Sequence, residues 1–205
     1  MTLDQITYWI GMGAVVANAA AGVLEAGRKP IDLFGMVMVA FASALGGGTL
    51  RDLLLDRTVF WIADQTYLVA ATVAAVATFA LARLRRLPPN LFLLPDAVGL
   101  ALFTVVGTQI ALHLGAPWFV ASFMGVVTGV FGGIVRDVLC NEVPLVFTGP
   151  LYATVSWLGA LLLLLLLHLG VGYLAAAWIA MAAIFVLRMA ALRFDLQLPK
   201  FVSRQ

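Results

Sequence analysis

The chain has 205 residues, of which 63% are hydrophobic and only 11% charged, and its formal net charge is +2. An average soluble domain carries about 25% charged residues, so this composition excludes a soluble globular domain and indicates a chain embedded in lipid. The single cysteine, Cys140, excludes an intramolecular disulfide and is expected to pack near a helix end. The sequence offers no metal-ligand spacing, no nucleophile beside a base and no phosphate-binding loop. We therefore expect no enzymatic activity, no cofactor and no nucleic-acid partner.

Seven apolar stretches are each long enough to cross a bilayer as a helix, which takes about 20 residues. In chain order they lie at about 6–26, 31–55, 67–86, 92–113, 118–140, 150–168 and 173–193. Each stretch is continuously apolar and lacks the alternation of period two that is typical of membrane barrel strands. The sequence therefore predicts an all-α membrane protein with seven transmembrane helices, in which residues 1–205 form a single membrane domain.

A glycine-rich sequence occurs twice, once in the second span and once in the fifth. Residues 46–52 read Gly-Gly-Gly-Thr-Leu-Arg-Asp, and residues 132–137 read Gly-Gly-Ile-Val-Arg-Asp. An offset of 85 residues places Gly47 on Gly132 and aligns the Arg-Asp pairs. Because each copy contains three spans, the copies must have opposite orientations, as in an inverted repeat. We expect repeat one at about 6–86, repeat two at about 92–168 and an extra helix at about 173–193.

Adjacent glycines in the middle of a span favour a kink or an unwound turn, since each interior glycine costs about 1 kcal/mol of helix propensity relative to alanine. Small residues also recur every four positions in both spans, which is equally typical of close helix packing. Freed carbonyls are tolerated in a bilayer only inside protein or beside a water-filled cavity. We predict a pathway lined by glycines and hydroxyl residues: Gly46, Gly47, Gly48, Gly129, Gly132, Gly133, Ser43, Thr49 and Thr128.

Charged residues follow the glycines in both copies, and the inverted repeat places them near opposite mouths of the pathway. They are Arg51, Asp52, Arg136 and Asp137. An ionised residue at this depth needs a partner or water, and neighbouring positions on a helix do not face each other. We therefore expect Arg136 to pair with Asp96, and Arg51 to use Asp52, Asp56 or helix-end carbonyls. These charges either gate the pathway or set the field at its mouths, or they only lock the ends of kinked helices.

The basic residues of the loops predict the orientation of the chain. Most share the side of the 1–2, 3–4 and 5–6 loops and the C-terminus: Arg28, Lys29, Arg83, Arg85, Arg86, Arg193, Lys200 and Arg204. We expect the C-terminus in the cytoplasm and the N-terminus outside, in the inner membrane of a prokaryotic cell, with membrane lipids around the chain. Asp4 and the lack of Lys or Arg before the first span argue against a cleaved signal peptide.

Three sequence blocks carry a resemblance to a known family. They are Ala-Leu-Gly-Gly-Gly-Thr-Leu-Arg-Asp at 44–52, Asp-Ala-Val-Gly-Leu-Ala-Leu-Phe at 96–103 and Gly-Val-Phe-Gly-Gly-Ile-Val-Arg-Asp-Val-Leu at 129–139. With these blocks the chain resembles prokaryotic members of the trimeric intracellular cation channel (TRIC) family. The resemblance implies a homotrimer with one pore per protomer between kinked spans 2 and 5. Phe131 departs from the pattern, because it stands where a third glycine would match Gly46, and the lipid-binding Lys-Glu-Val motif of animal members is not evident.

The resemblance implies a channel for monovalent cations, chiefly potassium, with sodium as a further permeant ion. The resemblance also implies transient binding of potassium near the adjacent pairs, Gly47, Gly48, Gly132 and Gly133. Carbonyls and hydroxyls near these glycines would replace part of the hydration shell of the ion. A secondary transporter for a small solute such as glycine also fits, because inverted repeats with broken helices describe alternating access as well. A duplicated structural membrane protein without a pathway is the third interpretation.

Overall fold

The computed structural model of the chain describes residues 2–84, 88 and 90–199, and within them every regular element is a helix. The helices are α1 (Leu3–Ala26), α2 (Leu33–Leu54), α3 (Phe60–Ala63), α4 (Thr66–Leu84), α5 (Leu93–His113), α6 (Trp118–Leu139), α7 (Leu145–Thr148), α8 (Ala153–His168) and α9 (Tyr173–Phe194). The basic residues Arg85, Arg86, Lys200 and Arg204, used above to predict the orientation, lie outside the described residues.

Six of these helices are long and apolar enough to cross a membrane: α1, α2, α4, α5, α6 and α9. Helix α8, at 16 residues, is apolar but shorter than the others. Each predicted span coincides with one of these seven helices to within three residues, and the chain is an integral membrane protein. The sequence interpretation missed the two four-residue helices α3 and α7, which lie in the connectors that follow α2 and α6.

The connectors after α2 and α6 have the same local structure. Asp56 and Asn141 follow the two helix ends in the left-handed region, with φ of 50° and 55°. Asp and Asn tolerate this conformation better than most residues, because their short polar side chains bond locally. Four residues after Asp56 and Asn141 the connectors enter the four-residue helices α3 and α7. Each connector thus turns sharply and returns the chain toward the end of the helix that it has just left.

Helix α5 occupies the centre of the molecule and packs against α1, α6, α8 and α9. Its buried positions lie on all sides rather than on one stripe, as expected of a helix that is surrounded by protein. Helix α4 lies at the edge, where Ala71, Ala74 and Ala75 are its buried residues. Helices α2 and α6 pack directly against each other beside α5, and this contact brings the two glycine sequences together.

Candidate functional site

Helices α2 and α6 cross in an antiparallel contact made by their glycines. A Cβ atom added at Gly47 would overlap the carbonyl oxygen of Thr128, and one added at Gly132 would overlap the carbonyl oxygen of Ser43. The two contacts are equivalent under the 85-residue offset, because Gly47 corresponds to Gly132 and Ser43 to Thr128. Side chains at these glycines would force the helices apart, so Gly47 and Gly132 permit the close approach of the two backbones.

The second glycine of each pair faces a different neighbour. A Cβ atom at Gly48 would lie 3.1 Å from Cδ1 of Phe60 in α3, and one at Gly133 would lie 3.0 Å from the Tyr152 hydroxyl. Successive residues of a helix point about 100° apart, so a helix in contact with two neighbours can need two adjacent glycines. Both glycine sequences are α-helical throughout. The unwound turn is therefore wrong at both glycine sequences, whereas the alternative that we predicted, a kink, stays a prediction. Packing against two neighbours accounts for the adjacent glycines.

The remaining predicted pathway residues are also packed into helix contacts. Gly46 lies close to Gly132, and a Cβ atom at Gly129 would lie 2.8 Å from the Thr104 hydroxyl oxygen. Thr49 and Thr128 donate to carbonyls four residues earlier in their own helices, at 2.7 and 2.6 Å. The hydroxyl oxygen of Ser43 is buried and has no hydrogen-bond partner among the described residues. Their predicted role in ion passage remains a prediction.

At one end of this contact, Arg51 pairs with the carboxylate next to it in sequence. Its Nε and Nη2 atoms both lie 2.8 Å from Oδ1 of Asp52, and both side chains are buried. The other oxygen of Asp52 accepts the backbone N–H of Phe60 at 2.8 Å, and Arg57 Nε lies 3.7 Å from Oδ1. Asp52 is one of the partners expected for Arg51, and the long Arg51 side chain reaches its carboxylate, which the return of the chain holds in place.

At the other end, Arg136 repeats this arrangement and adds a second carboxylate. Its Nε lies 2.9 Å from Asp137 Oδ1, and Asp137 Oδ2 accepts the backbone N–H of Leu145 at 3.0 Å. Arg136 Nη1 donates to Asp96 at 2.6 Å, which confirms the predicted pair. The Tyr152 hydroxyl donates to the same Asp96 oxygen at 3.1 Å. Arg136 and Asp96 are fully buried, so the side chains of this cluster are enclosed by protein at this end of the contact.

A buried arginine from α9 completes this second cluster, and the sequence interpretation missed it. Arg188 donates to the carbonyl oxygens of Pro150 and Leu151 at 2.8 and 2.9 Å. Its guanidinium carbon lies 4.4 Å from the centre of the Tyr152 ring, which is a cation–π distance. Arg188 therefore fixes the residue that donates to Asp96. An arginine inside an apolar span is itself the signal that could have identified it.

The Arg51 end differs, because it contains a cavity of about 540 Å³. Arg51 alone of the predicted site residues borders it. Its other walls come from α1, α3, α4, α5 and the connector after α2: Leu3, Asp4, Thr7, Tyr8, Gly11, Arg57, Phe60, Ala63, Asp64, Tyr67, Phe103, Val106, Gln109, Ile110, His113 and Leu114. Arg51, Gly11 and Gln109 are buried and form its floor, whereas Asp4 and His113 are exposed at its rim.

The rim of the cavity also carries a carboxylate whose charge is stabilised locally. The hydroxyl and the backbone N–H of Thr66 donate to Asp64 at 2.7 and 2.9 Å. These hydrogen bonds favour the ionised form and lower the pKa of Asp64 below its ordinary value. Asp64 is therefore negatively charged at neutral pH, and the cavity is bordered by the acidic groups of Asp4 and Asp64 and by the basic groups of Arg51 and Arg57.

Comparisons with known proteins match this geometry. A family model described as "Glycine transporter" matches residues 8–83 and again residues 93–168, two segments that begin 85 residues apart. The UPF0126 inner membrane protein YadS of Escherichia coli K12 is 39% identical over 200 residues, which cover 96% of this chain and 97% of YadS. The chain belongs to the glycine transporter (TRIC) family. A UPF0126 membrane protein of Vibrio cholerae is 37% identical to this chain, over 96% of this chain and 83% of the Vibrio cholerae protein.

Two solved structures of TRIC channels have the same fold as this chain. The TRIC trimeric intracellular cation channel orthologue from Rhodobacter sphaeroides has a TM-score of 0.88 and 38% identity, over 93% of this chain and 99% of its own. A second TRIC cation channel has a TM-score of 0.86 and 30% identity over the full length of both chains. These relatives are described as channels and not as enzymes, in agreement with the expectation from the sequence.

Proposed function

We propose that this chain is a channel for monovalent cations, chiefly potassium. The observation that carries this proposal is the TM-score of 0.88, at 38% identity, with a TRIC cation channel over nearly the whole chain. Conduction by this chain, its preference for potassium and its assembly as a homotrimer with one pore per protomer are parts of the proposal. Light scattering of the purified chain in detergent tests the trimer, and a monomer at the concentrations used for recording would contradict it.

The proposed pathway follows the contact between α2 and α6. Three features support this course: the cavity at the Arg51 end, the antiparallel contact in which Gly47 meets Thr128 and Gly132 meets Ser43, and the buried Arg136 cluster at the other end. In this arrangement the cavity is the entrance to the pathway. The packed backbones of α2 and α6 block the pathway at one point, and the Arg136 cluster blocks it at a second. Ions would pass only when α2 and α6 separate and the bond between Asp96 and Arg136 opens.

The recurring geometry supports an inverted repeat of three plus three spans followed by a seventh. The hydrogen bond from Phe60 N–H to Asp52 recurs, 85 residues later, from Leu145 N–H to Asp137. The antiparallel crossing of α2 and α6 has the opposite orientations that such a repeat requires. Together with the distribution of Lys and Arg, this topology supports the proposal that the cavity lies on the outer face of a prokaryotic inner membrane and the C-terminus in the cytoplasm.

Recording from purified protein in a planar bilayer tests conduction. We expect single-channel steps that reverse near the potassium equilibrium potential in a potassium chloride gradient. Arg57 lies at the cavity, so Arg57→Gln should raise the conductance about twofold at low salt and less at high salt, because screening shortens the reach of its charge. Arg83, at the far end of α4 and outside the cavity, provides the matched control in Arg83→Gln. An absence of steps in both wild type and variants would contradict the proposal.

A second candidate is a secondary transporter for a small solute such as glycine, favoured by the description of the matching family model. Uptake of labelled glycine into proteoliposomes separates the two candidates. Saturable uptake without single-channel steps would support transport. Steps without saturable uptake would support the channel.

A further inference from the structure

The two ends of the α2–α6 contact differ at one position of the 85-residue offset. At the Arg136 end, Asp96 places a carboxylate between Arg136 and the hydroxyl of Tyr152. The residues that correspond to Arg136 and Tyr152 are Arg51 and Tyr67, and both border the cavity. The residue that corresponds to Asp96 is Gly11, which has no side chain. The arginine and the tyrosine are therefore retained at the cavity, whereas the carboxylate between them is not.

Contacts around Gly11 show that this correspondence holds in space. A Cβ atom added at Gly11 would lie 3.6 Å from the hydroxyl oxygen of Tyr67 and 4.0 Å from Val106, both ordinary contacts. A side chain at this position would thus point toward Tyr67, as the side chain of Asp96 points toward Tyr152. The volume that the Asp96 carboxylate fills at one end is cavity at the other end.

The polar groups on the cavity floor suit a bound carboxylate. Arg51 is 2% exposed, and Asp52 is the one carboxylate within salt-bridge distance of it among the described residues. The guanidinium of arginine has five N–H donors, and Asp52 engages two of its nitrogens, Nε and Nη2. Gln109 adds a buried Oε1 atom that accepts no hydrogen bond within the part of the chain that the structure describes. The floor therefore offers a carboxylate two donors, the Arg51 guanidinium and the Tyr67 hydroxyl, whereas the Gln109 oxygen is an acceptor and takes no part in binding it.

We infer that the cavity binds a small monocarboxylate, whose carboxylate group occupies the place that Asp96 fills at the other end. Arg51 Nη1 and the Tyr67 hydroxyl donate to it. Asp4, Asp64 and Arg57 border the cavity as well, so the charges around the proposed ligand are mixed in sign. Arg51 and Arg57 carry two positive charges beside the single negative charge of Asp52, so a bound carboxylate balances this group and modulates cation entry in the proposed channel.

Sodium acetate is the probe for this site. The melting temperature of the purified chain in detergent is measured in sodium acetate and in sodium chloride at equal ionic strength, and titration calorimetry gives the affinity. Acetate is expected to raise the melting temperature, because a ligand that binds only the folded state stabilises it. Methylammonium chloride, which has no carboxylate, should have no effect. If acetate and chloride give the same melting temperature in the wild-type protein, the inference is wrong.

Substitution of Gly11 makes the test specific. Gly11→Asp supplies the carboxylate within the chain, so it should raise the melting temperature without ligand and lower the acetate affinity at least tenfold. Gly11→Ala is the matched control, since its methyl group fits and acetate binding should persist. An equal acetate response in Gly11→Asp and in the wild type would overturn the site.

Tyr67→Phe provides a second variant that does not depend on the folding of Gly11→Asp. It removes one donor and leaves the ring contacts of Tyr67 with Phe60 and Tyr8 in place. We expect a several-fold loss of acetate affinity, and an unchanged affinity would contradict the assigned role of the hydroxyl. All these readouts measure binding without ion flux. Acetate binding in a protein that conducts no ions would therefore count against the proposed channel alone.

Discussion

Replacement of Asp96 by Asn tests the buried cluster at the inner end of the proposed pathway. Within the described residues the cluster contains two cations, Arg136 and Arg188, and two carboxylates, Asp96 and Asp137, so its formal charges balance. Asp96→Asn retains the size of the side chain and an oxygen that can accept from Tyr152. It removes one negative charge and leaves the cluster with an excess positive charge, buried away from water.

The expected cost follows from the burial of both partners. Removal of one member of a buried ion pair destabilises a protein by roughly 3–5 kcal/mol, because the other charge stays behind without compensation. Arg136 retains Asp137 at 2.9 Å, so we expect the lower limit, about 3 kcal/mol. Tyr152→Phe is the control in the same cluster. It removes one hydrogen bond to a charged group and should cost about 1.5 kcal/mol.

Reversible unfolding of the purified protein in mixed micelles, followed by circular dichroism during an SDS titration, measures these free energies. The double variant Asp96→Asn/Arg136→Gln should be less destabilised than the sum of its two single variants, because it removes both charges together. A loss below about 1 kcal/mol for Asp96→Asn, or additive effects in the double variant, would refute the view that the pair is energetically coupled.

Three further predictions follow from individual contacts. Gly47→Ala should destabilise the fold by about 1–3 kcal/mol through overlap with α6, whereas Gly46→Ala, whose Cβ would lie 3.8 Å from the nearest atom, should be neutral or stabilising in the same SDS titration. Arg188→Leu should raise the open probability in bilayer recordings, because it releases the connector before α8; an unchanged open probability would contradict this. Lys29 donates to Glu142 at 2.6 Å and lowers the pKa of this carboxyl below its ordinary value of 4.5. The bond therefore stabilises the fold above pH 4.5 and is lost as the pH falls through the lowered pKa. Glu142→Gln should remove that part of the pH dependence of the melting temperature.

The sequence was sufficient to predict the spans, because each continuous apolar run must become a helix in lipid to satisfy its backbone hydrogen bonds. The Arg136–Asp96 pair was also predictable, since a buried arginine needs a carboxylate and Asp96 begins the preceding span. The short helices α3 and α7 gave no such signal, because four-residue elements are too short to show a period. Their positions nevertheless decide the site, since the N–H groups of Phe60 and Leu145 orient the carboxylates at the two helix ends.

The glycine pairs show why the rest of the site could not be predicted. Helix propensity alone makes Gly47-Gly48 a probable break, but it does not reveal what lies beside each face of the helix. In the structure Gly47 faces α6 and Gly48 faces Phe60, which reaches it from a connector. Contacts between elements distant in sequence outweigh a propensity term of about 1 kcal/mol per glycine. The difference between Gly11 and Asp96 is visible in the sequence at the 85-residue offset, but the cavity beside Gly11 is visible only in the structure.

Arg188 has a consequence for how the molecule can move. The first six spans give both ends of the α2–α6 contact the same arginine, aspartate and returning connector. Helix α9 has no counterpart in the first half, and it adds an anchor at one end only, through the carbonyls of Pro150 and Leu151. The Arg136 end of the α2–α6 contact is therefore anchored by α9, whereas the Arg51 end is not. Local opening should therefore occur first at the Arg51 end. Amide hydrogen exchange should then be faster in the connector after α2 than in its counterpart after α6.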